Sequence, residues 1–506
     1  MTVLGEVGAL EDATWHRLSP RMLLVHPVAE VGKAFPALIG IFLAGSANGN
    51  SYWGLAAAGL VAVLSLSRWF TTRLRITDRQ VQLRHGLLRR RTITTSRDRI
   101  RTVDVTSHVL HRVLGLARVV IGTGTNDRKG EGRLVLDGLT VVTADALRSE
   151  LLHRTAAPDP ATDAPVATGH ATELLRLDPR WIGYAPLTLS GVVTGLVVWG
   201  FYWRIKGESG VSITASGPLR SLSDAITGLP TPAAVAVVVL LAVVFVSVTS
   251  TVGYVLSYWG FRLVRHDGGT LQVTRGLLTT RATSIERRRL AGVALSEPLL
   301  LRVACAARTT AIATGLRTGR GAERGGEVLA PPAPRAVAVA VAAEVLDGTA
   351  AVTVPLASHP PAARRRCVMR ALLGGTAVAL ASLAAWLWFA PLWVPVVGLL
   401  LLVLCVPLGL DRYRVLGHAL SDGYVVTGAG SLVRRREVLH ATAVIGWNLR
   451  STWFQRRLGL ITLVATTAAG RQGYAIDDVD PVEALAVAFA VSPGLVTQFD
   501  DCTAAG

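Results

Sequence analysis

Few residues in this chain stand at spacings that do chemistry. His108 and His111 lie three apart, a spacing that puts two imidazoles on one face of a helix and suits a shared metal ion. No third ligand accompanies them and the later, similar segments lack the pair, so a solvated helix face is the expected role. Gly122-Thr123-Gly124 lacks the Gly-Lys-Ser/Thr of a phosphate loop and reads as a turn at a strand end. Asp477, Asp478 and Asp480 precede Pro481, where helix N-capping explains them better than a metal. No Ser/His/Asp order stands out, and neither catalytic residues nor a metal or cofactor are expected. What remains is charge in triplets: Arg89, Arg90 and Arg91; Arg287 to Arg289; Arg364 to Arg366; and Arg434, Arg435 and Arg436. Such clusters attract phosphate, on nucleic acid or on lipid headgroups, and also set the orientation of neighbouring membrane spans; Arg89 to Arg91 and Arg434 to Arg436, which each follow a glycine closely, are the candidate anionic-lipid contacts, whereas Arg364 to Arg366 suit orientation best.

The elements that must carry these arginines are apolar. The 506 residues hold a formal charge of +18, yet 51% are hydrophobic and the mean hydropathy is +0.44. Arginine supplies 49 of the 52 basic residues. The four cysteines, Cys305, Cys367, Cys405 and Cys502, form no C-x-x-C, so neither a disulfide framework nor a zinc site is indicated. The acidic N-terminal stretch has no apolar core of a cleavable signal.

Uncharged runs occupy 34–67 (broken by the polar turn 46–51), 181–203, 231–261 and 371–410. A spanning helix needs about 20 apolar residues. The runs therefore predict three helical hairpins, six spans in all, of which the first hairpin is the tightest. With six spans nearly all the arginine falls on one side. Only Arg204, Lys206 and Arg220 fall on the other. The positive-inside rule makes the basic side cytoplasmic, with both termini there. Transporters normally carry ionisable residues inside their spans. These runs have none, so a component of a transport or export system is the alternative function rather than the first.

A segment recurs after each hairpin: GLLRRRTITTSRDRIRTVDVTSHVLHRVLGL from Gly86, GLLTTRATSIERRRLAGVALSEPLLLRVACA from Gly276 and GSLVRRREVLHATAVIGWNLRSTWFQRRLGL from Gly430. With the three glycines in register no gap is needed. Ile100, Leu290 and Val444 then coincide, as do Arg112, Arg302 and Arg456. Gly115 matches Gly459, with Cys305 at that place in the second copy. In the first copy, 73–76, 81–83, 92–94, 102–105, 116–123 and 133–136 alternate as strands. Ser107 is placed to cap a short helix ended by Gly115, and 144–153 reads as an amphipathic helix.

This pattern of turn glycine, basic strand, Arg-Ile pair and Leu-Gly-Leu resembles the bacterial pleckstrin-homology-like domain of the membrane-anchored class, and three such units resemble YdbT-type membrane proteins. The second copy departs most, with Arg289-Leu290 and Ala304-Cys305-Ala306. The resemblance implies a fold: a small β-barrel or sandwich closed by a C-terminal helix. The expected class is thus a membrane protein, α+β, with three repeats of a transmembrane hairpin followed by a cytoplasmic PH-like domain. The expected organisation is tail 1–33, hairpin 34–67, domain 68–155, linker 156–180, hairpin 181–257 with an external loop 204–230, degenerate domain 258–348, linker 349–370, hairpin 371–410, domain 411–493 and tail 494–506. The expected role is binding or scaffolding at the inner face of the bacterial membrane, in envelope homeostasis or stress. Membrane lipids, a related smaller two-span PH-like protein and a second copy are the expected partners, and nucleic acid is not.

The topology is testable directly. In a cysteine-free background, Gly49→Cys and Ser212→Cys should react with an impermeant maleimide on whole cells or spheroplasts. Asn126→Cys and Gly470→Cys should not, and labelling at Asn126 would overturn the six-span arrangement.

Overall fold

A computed structural model of the chain describes residues 15–22, 73–122, 133–147, 171–188, 228–314, 327–388 and 391–494, short gaps within these ranges excepted. The first expected hairpin, together with Gly86, Arg89 and Arg90, lies outside the described residues, as do most of 189–227. The chain forms two compact units, Met1–Arg287 and Arg288–Gly506.

The first unit opens with strands β1 (His16–Arg17), β2 (Arg73–Ile76), β3 (Gln80–His85) and β4 (Arg91–Ser96), which form one antiparallel sheet in that order. A second sheet runs in the order β7-β6-β5-β11-β10-β9-β8. Its strands are β5 (Thr102–Ser107), β6 (Leu116–Gly122), β7 (Arg133–Thr140), β8 (Ala171–Arg176), β9 (Arg262–His266), β10 (Thr270–Arg275) and β11 (Thr280–Glu286). Alternation places Val81, Val103, Val119, Ile121, Leu134 and Leu136 inward, and they form one apolar core with Ile100. Ala144 and Leu147 close it from a helical stretch that starts at residue 141, three residues before the expected start.

Helix α1 (Val109–Val113) joins β5 to β6 and ends at Gly115, whose φ of 66° is left-handed. Its N-cap is His108, which makes no side-chain cap bond. Ser107, the expected cap, instead donates to the Leu116 carbonyl at 3.3 Å, because as the last residue of β5 it still faces the neighbouring strand.

Helix α2 (Thr231–Tyr258) is uncharged throughout, and long and apolar enough to cross a membrane. A helix leaves its last carbonyls without intrahelical donors. Here the turn between β10 and β11 supplies two of them: Leu277 N–H to Leu256 O at 3.0 Å and Gly276 N–H to Trp259 O at 2.9 Å. The expected partner span starts with a difference. Residues Pro179–Leu187 form a 3-10 helix, with Pro186 inside it and Asp178 capping it by accepting from Arg180 N–H at 2.9 Å. Pro186 removes a backbone donor, which disfavours a regular α-helix at this point.

The second unit repeats the plan. Its large sheet runs β14-β13-β12-β18-β17-β16-β15. The strands are β12 (Leu290–Pro298), β13 (Ala306–Ala313), β14 (Val328–Pro334), β15 (Ala357–Ser358), β16 (Gly417–Ser421), β17 (Tyr424–Ala429) and β18 (Val433–His440). A three-stranded sheet follows: β19 (Gly446–Arg450), β20 (Ile461–Thr466) and β21 (Gly473–Val479). Helices α3 (Leu299–Val303), α4 (Arg335–Val345) and α5 (Ala350–Thr353) precede two long helices, α6 (Pro361–Trp388) and α7 (Trp393–Val415). Helices α8 (Trp453–Arg457) and α9 (Pro481–Val491) complete the chain.

Helix α6 begins ten residues before the expected hairpin, so part of the expected linker 349–370 is helical. Pro361 suits a first helical position, and the Ala and Arg residues after it are good helix formers. Helices α6 and α7 are both long and apolar enough to span a membrane. Small residues let them approach: a Cβ on Gly398 would stand 1.9 Å from Ser382 Oγ.

The two large sheets each join consecutive repeats. Strand β5 of the first repeat pairs antiparallel with β11 of the second, with Val103 opposite Ser284. Strand β12 of the second pairs with β18 of the third, with Val293 opposite Val438. Of the repeat positions, Ile100 and Val444 are buried and Leu290 is half-buried. Gly459 repeats the left-handed φ of Gly115, while Cys305 adopts it at 52° without being glycine.

The turn glycines are sterically required. A Cβ on Gly276 would lie 2.1 Å from Thr279 O, and one on Gly430 would lie 2.0 Å from Val433 O. Gly423 also has positive φ, at 78°, but open space around it. Gly430→Ala should therefore destabilise the protein by several kcal/mol, and Gly423→Ala by about 1 kcal/mol. Thermal unfolding of the purified protein in one detergent checks the ranking, and equal losses would contradict it.

Candidate functional site

Residues 371–388 of α6 and 393–410 of α7 are free of charge. Each run covers about 27 Å of helix, close to the thickness of a bilayer's hydrocarbon core. Charge resumes with Arg370 on one helix and Asp411 and Arg412 on the other, at the same end of the hairpin. Below that end, β18 and β21 present Arg435, Glu437 and Asp477, and the turn between β20 and β21 adds Arg471. These side chains line a cleft of about 650 Å³ between the bases of the two helices and the strands of the third repeat.

The electrostatics of the cleft are unbalanced. Burial pushes the Glu437 carboxyl up, against the pull of Arg471 and Arg435. Burial and the charge of Asp478 push Asp477 up, against Arg412 and Arg370. Four guanidiniums thus face two carboxyls that ionise reluctantly. Arg412 stands 3.6 Å from Asp477 and Arg471 is paired with Glu437. Exposed Arg370 makes no ion pair among the described residues.

Around the cleft, ion pairs fasten the strands to the helix ends. Asp411 receives Arg434 and, at 3.2 Å, Arg302 from α3. Asp478 is almost fully buried and receives Arg366 from α6 and, at 2.8 Å, the Gln455 amide from α8. Truncating one partner of a buried pair leaves an uncompensated charge, so these contacts oppose separation of the domain from the helices.

The arginines singled out in the sequence fall into different settings. Arg434 is held by Asp411, and the Arg436 guanidinium donates to Val354 O. Arg435 lines the cleft. The side chain of Arg91, like Arg89 and Arg90, lies outside the described residues. Arg370, Arg412, Arg471 and Glu437 were not among the expected lipid contacts. Arg370 and Arg412 were detectable as the first charges beyond an uncharged run. Arg471 and Glu437 come to the cleft only through tertiary pairing.

His111 is a correction to the expected solvated helix face: it is 5% exposed, the buried residue of a helix whose other side chains are exposed. His108 bonds Thr279 Oγ1 through Nδ1 at 2.9 Å. Asp480 does cap α9, accepting from Val482 N–H at 2.9 Å. No group of three or more metal-ligating side chains occurs among the described residues.

A sequence profile described as "Bacterial PH domain" matches three times, over residues 27–155, 219–348 and 371–492. No curated protein and no solved structure matches the chain.

A histidine pair beside the cleft generates a pH prediction. His359 Nε2 and His418 Nδ1 are 3.1 Å apart, and both rings are buried. Glu483 stands 3.5 Å from His418 Nε2, so that nitrogen carries the proton and His418 Nδ1 accepts from His359. Burial and the neighbouring His418 push His359 down from 6.5 to about 4. Burial lowers His418 too, opposed by Glu483. A folded pKa below the unfolded value means that the unfolded chain binds the proton first as pH falls. The contribution of the neutral pair is complete above pH 6.5 and is lost as pH falls toward 4. For His359 alone the loss is at most about 3 kcal/mol. Melting temperatures in detergent between pH 7 and 4.5 should fall less steeply for His359→Gln than for the unaltered chain. Parallel curves would contradict the assignment.

Proposed function

Since the chain belongs to the bacterial PH domain family, we propose that it is a non-enzymatic membrane protein that binds anionic phosphate-bearing lipid headgroups at the cytoplasmic face, in the cleft between Arg370, Arg412, Arg435 and Arg471. The carrying observation is that cleft: four guanidiniums gathered at the depth where two apolar helices acquire charge. Guanidinium forks match phosphate oxygens bidentately. Anionic lipids draw basic residues at the leaflet surface by about 1 kcal/mol each. The cleft thus offers the phosphate both charge and a depth that a lipid headgroup can reach laterally.

Exposed apolar side chains support seating on the leaflet. In the turns after Gly276 and Gly430, Leu278 and Leu432 are 50% and 58% exposed. Val303 of α3 and Trp453 and Phe454 of α8 are exposed as well. The Gly276 turn is bonded to the end of α2, so its leucine lies level with the membrane boundary. Arg457 covers the Trp453 ring at 3.9 Å, a cation–aromatic pair suited to the headgroup region.

In this reading the protein has six spans, sits in the inner membrane with both termini cytoplasmic, and holds its three PH-like domains against the leaflet as a scaffold. The arginine excess on the domain side supports the orientation. The full-length protein, purified in a neutral detergent, should retain phosphatidylglycerol in preference to phosphatidylcholine by native mass spectrometry. Arg370→Gln and Arg435→Gln should each weaken that retention roughly fivefold. Arg364→Gln, which alters an exposed arginine outside the cleft, should leave it unchanged. Equal retention of both lipids, or equal loss in all three variants, would sink the assignment.

A further inference from the structure

The two sheet junctions between repeats share one register. With Gly86, Gly276 and Gly430 aligned, Val103, Val293 and Trp447 occupy one position, and Thr94, Ser284 and Val438 another. Val103 lies opposite Ser284 and Val293 opposite Val438. The same rule, Val105 opposite Ala282 and Leu295 opposite Arg436, holds two residues further along. Each junction therefore joins the first strand of one repeat's second sheet to the last strand of the next repeat's first sheet, without a slip.

An arginine latch recurs with it. Arg112 of α1 donates to the carbonyl of Leu277, just after one turn glycine, at 3.1 Å. Arg302 of α3 donates to the carbonyl of Ser431, just after the next, at 3.4 Å. Leu277 and Ser431 are equivalent positions, as are Arg112 and Arg302.

Applied a third time, the rule uses β19 and β4. Strand β19 ends its sheet and β4 ends its own, so among the described residues both are edges. Their side chains are exposed where the equivalents are covered. Leu449 is 50% exposed, whereas Val105 and Leu295 are 7% and 4% exposed. Thr94 is exposed, whereas Ser284 and Val438 are buried. Arg456, the equivalent of the latch arginines, is exposed and makes no side-chain bond among the described residues. Exposed strand edges recruit further strands, and main-chain bonds supply the affinity.

We propose that β19 and β4 are complementary docking edges for a second copy of this chain. The third junction sets Trp447 opposite Thr94 and Leu449 opposite Thr92, and leaves Arg456 at the position of the latch arginines. A second copy is the occupant because one chain carries one edge of each kind. Two copies joined head to tail satisfy all four edges and close a two-fold ring.

The test uses full-length protein in native membranes, with its four cysteines replaced by alanine. Chains bearing Thr92→Cys alone and Leu449→Cys alone are co-expressed with different tags and oxidised. The expected result is a covalent two-chain species carrying both tags. Thr92→Cys paired with Arg450→Cys, one residue out of register, should give at least tenfold less. Leu449→Lys and Arg456→Ala alter exposed side chains and should preserve the melting temperature while shifting the purified protein from two-chain to one-chain mass. If the doubly substituted chain (Thr92→Cys with Leu449→Cys) links only within itself, or if unaltered protein has one-chain mass at micromolar concentration, the second copy is overturned. Equal cross-linking at Arg450 overturns the register.

Discussion

The sheets of this protein depend on main-chain hydrogen bonding across repeat boundaries. A strand that ends one repeat's sheet has a row of amides and carbonyls that must find partners. The neighbouring repeat provides them, β11 for β5 and β18 for β12. The repeats are therefore not beads on a string. Removing one exposes an edge on another and breaks the part-buried pair of Arg281 with Asp104, at 3.4 Å across the first junction. An excised domain would accordingly differ from the same residues in the whole chain.

The second dependence is on the ends of the apolar helices. A helix leaving a membrane has unsatisfied carbonyls and reaches the first region where charge is tolerated. Both needs are met by the β-rich repeats. The Gly276 turn donates to the end of α2, and Asp411 and Arg412 engage Arg434 and Asp477 below α7. The cleft is a consequence of that junction. Two helices converge through small residues such as Gly398, the strands pack beneath them, and the space between is lined by the charges that could not enter the apolar layer.

Much of this was legible in the sequence, because it is local. Turn glycines at Gly276 and Gly430 announce a backbone conformation that a Cβ would block. The Leu-Gly-Leu segments announce a short helix closed in the left-handed region, and uncharged runs announce long apolar helices. What was not legible is non-local. Alternation marks β5 as a strand but does not say which strand lies beside it. The triplet Arg434 to Arg436 looks uniform, yet one side chain is held by Asp411, one lines the cleft and one bonds Val354 O. Neighbouring strand residues point to opposite faces, so a run of like charges divides on folding. His111 was misread for a related reason: five residues of helix offer too little periodicity to reveal an inward face.

The claim that repeats share sheets is tested most directly by residue-resolved amide hydrogen exchange on the full-length protein. In β11, successive amides point alternately toward β10, within the repeat, and toward β5, across the boundary. The account predicts that both sets exchange slowly and at similar rates. Fast exchange of the β5-directed amides, beside slow exchange of the β10-directed ones, would show β11 to be a free edge and would contradict it.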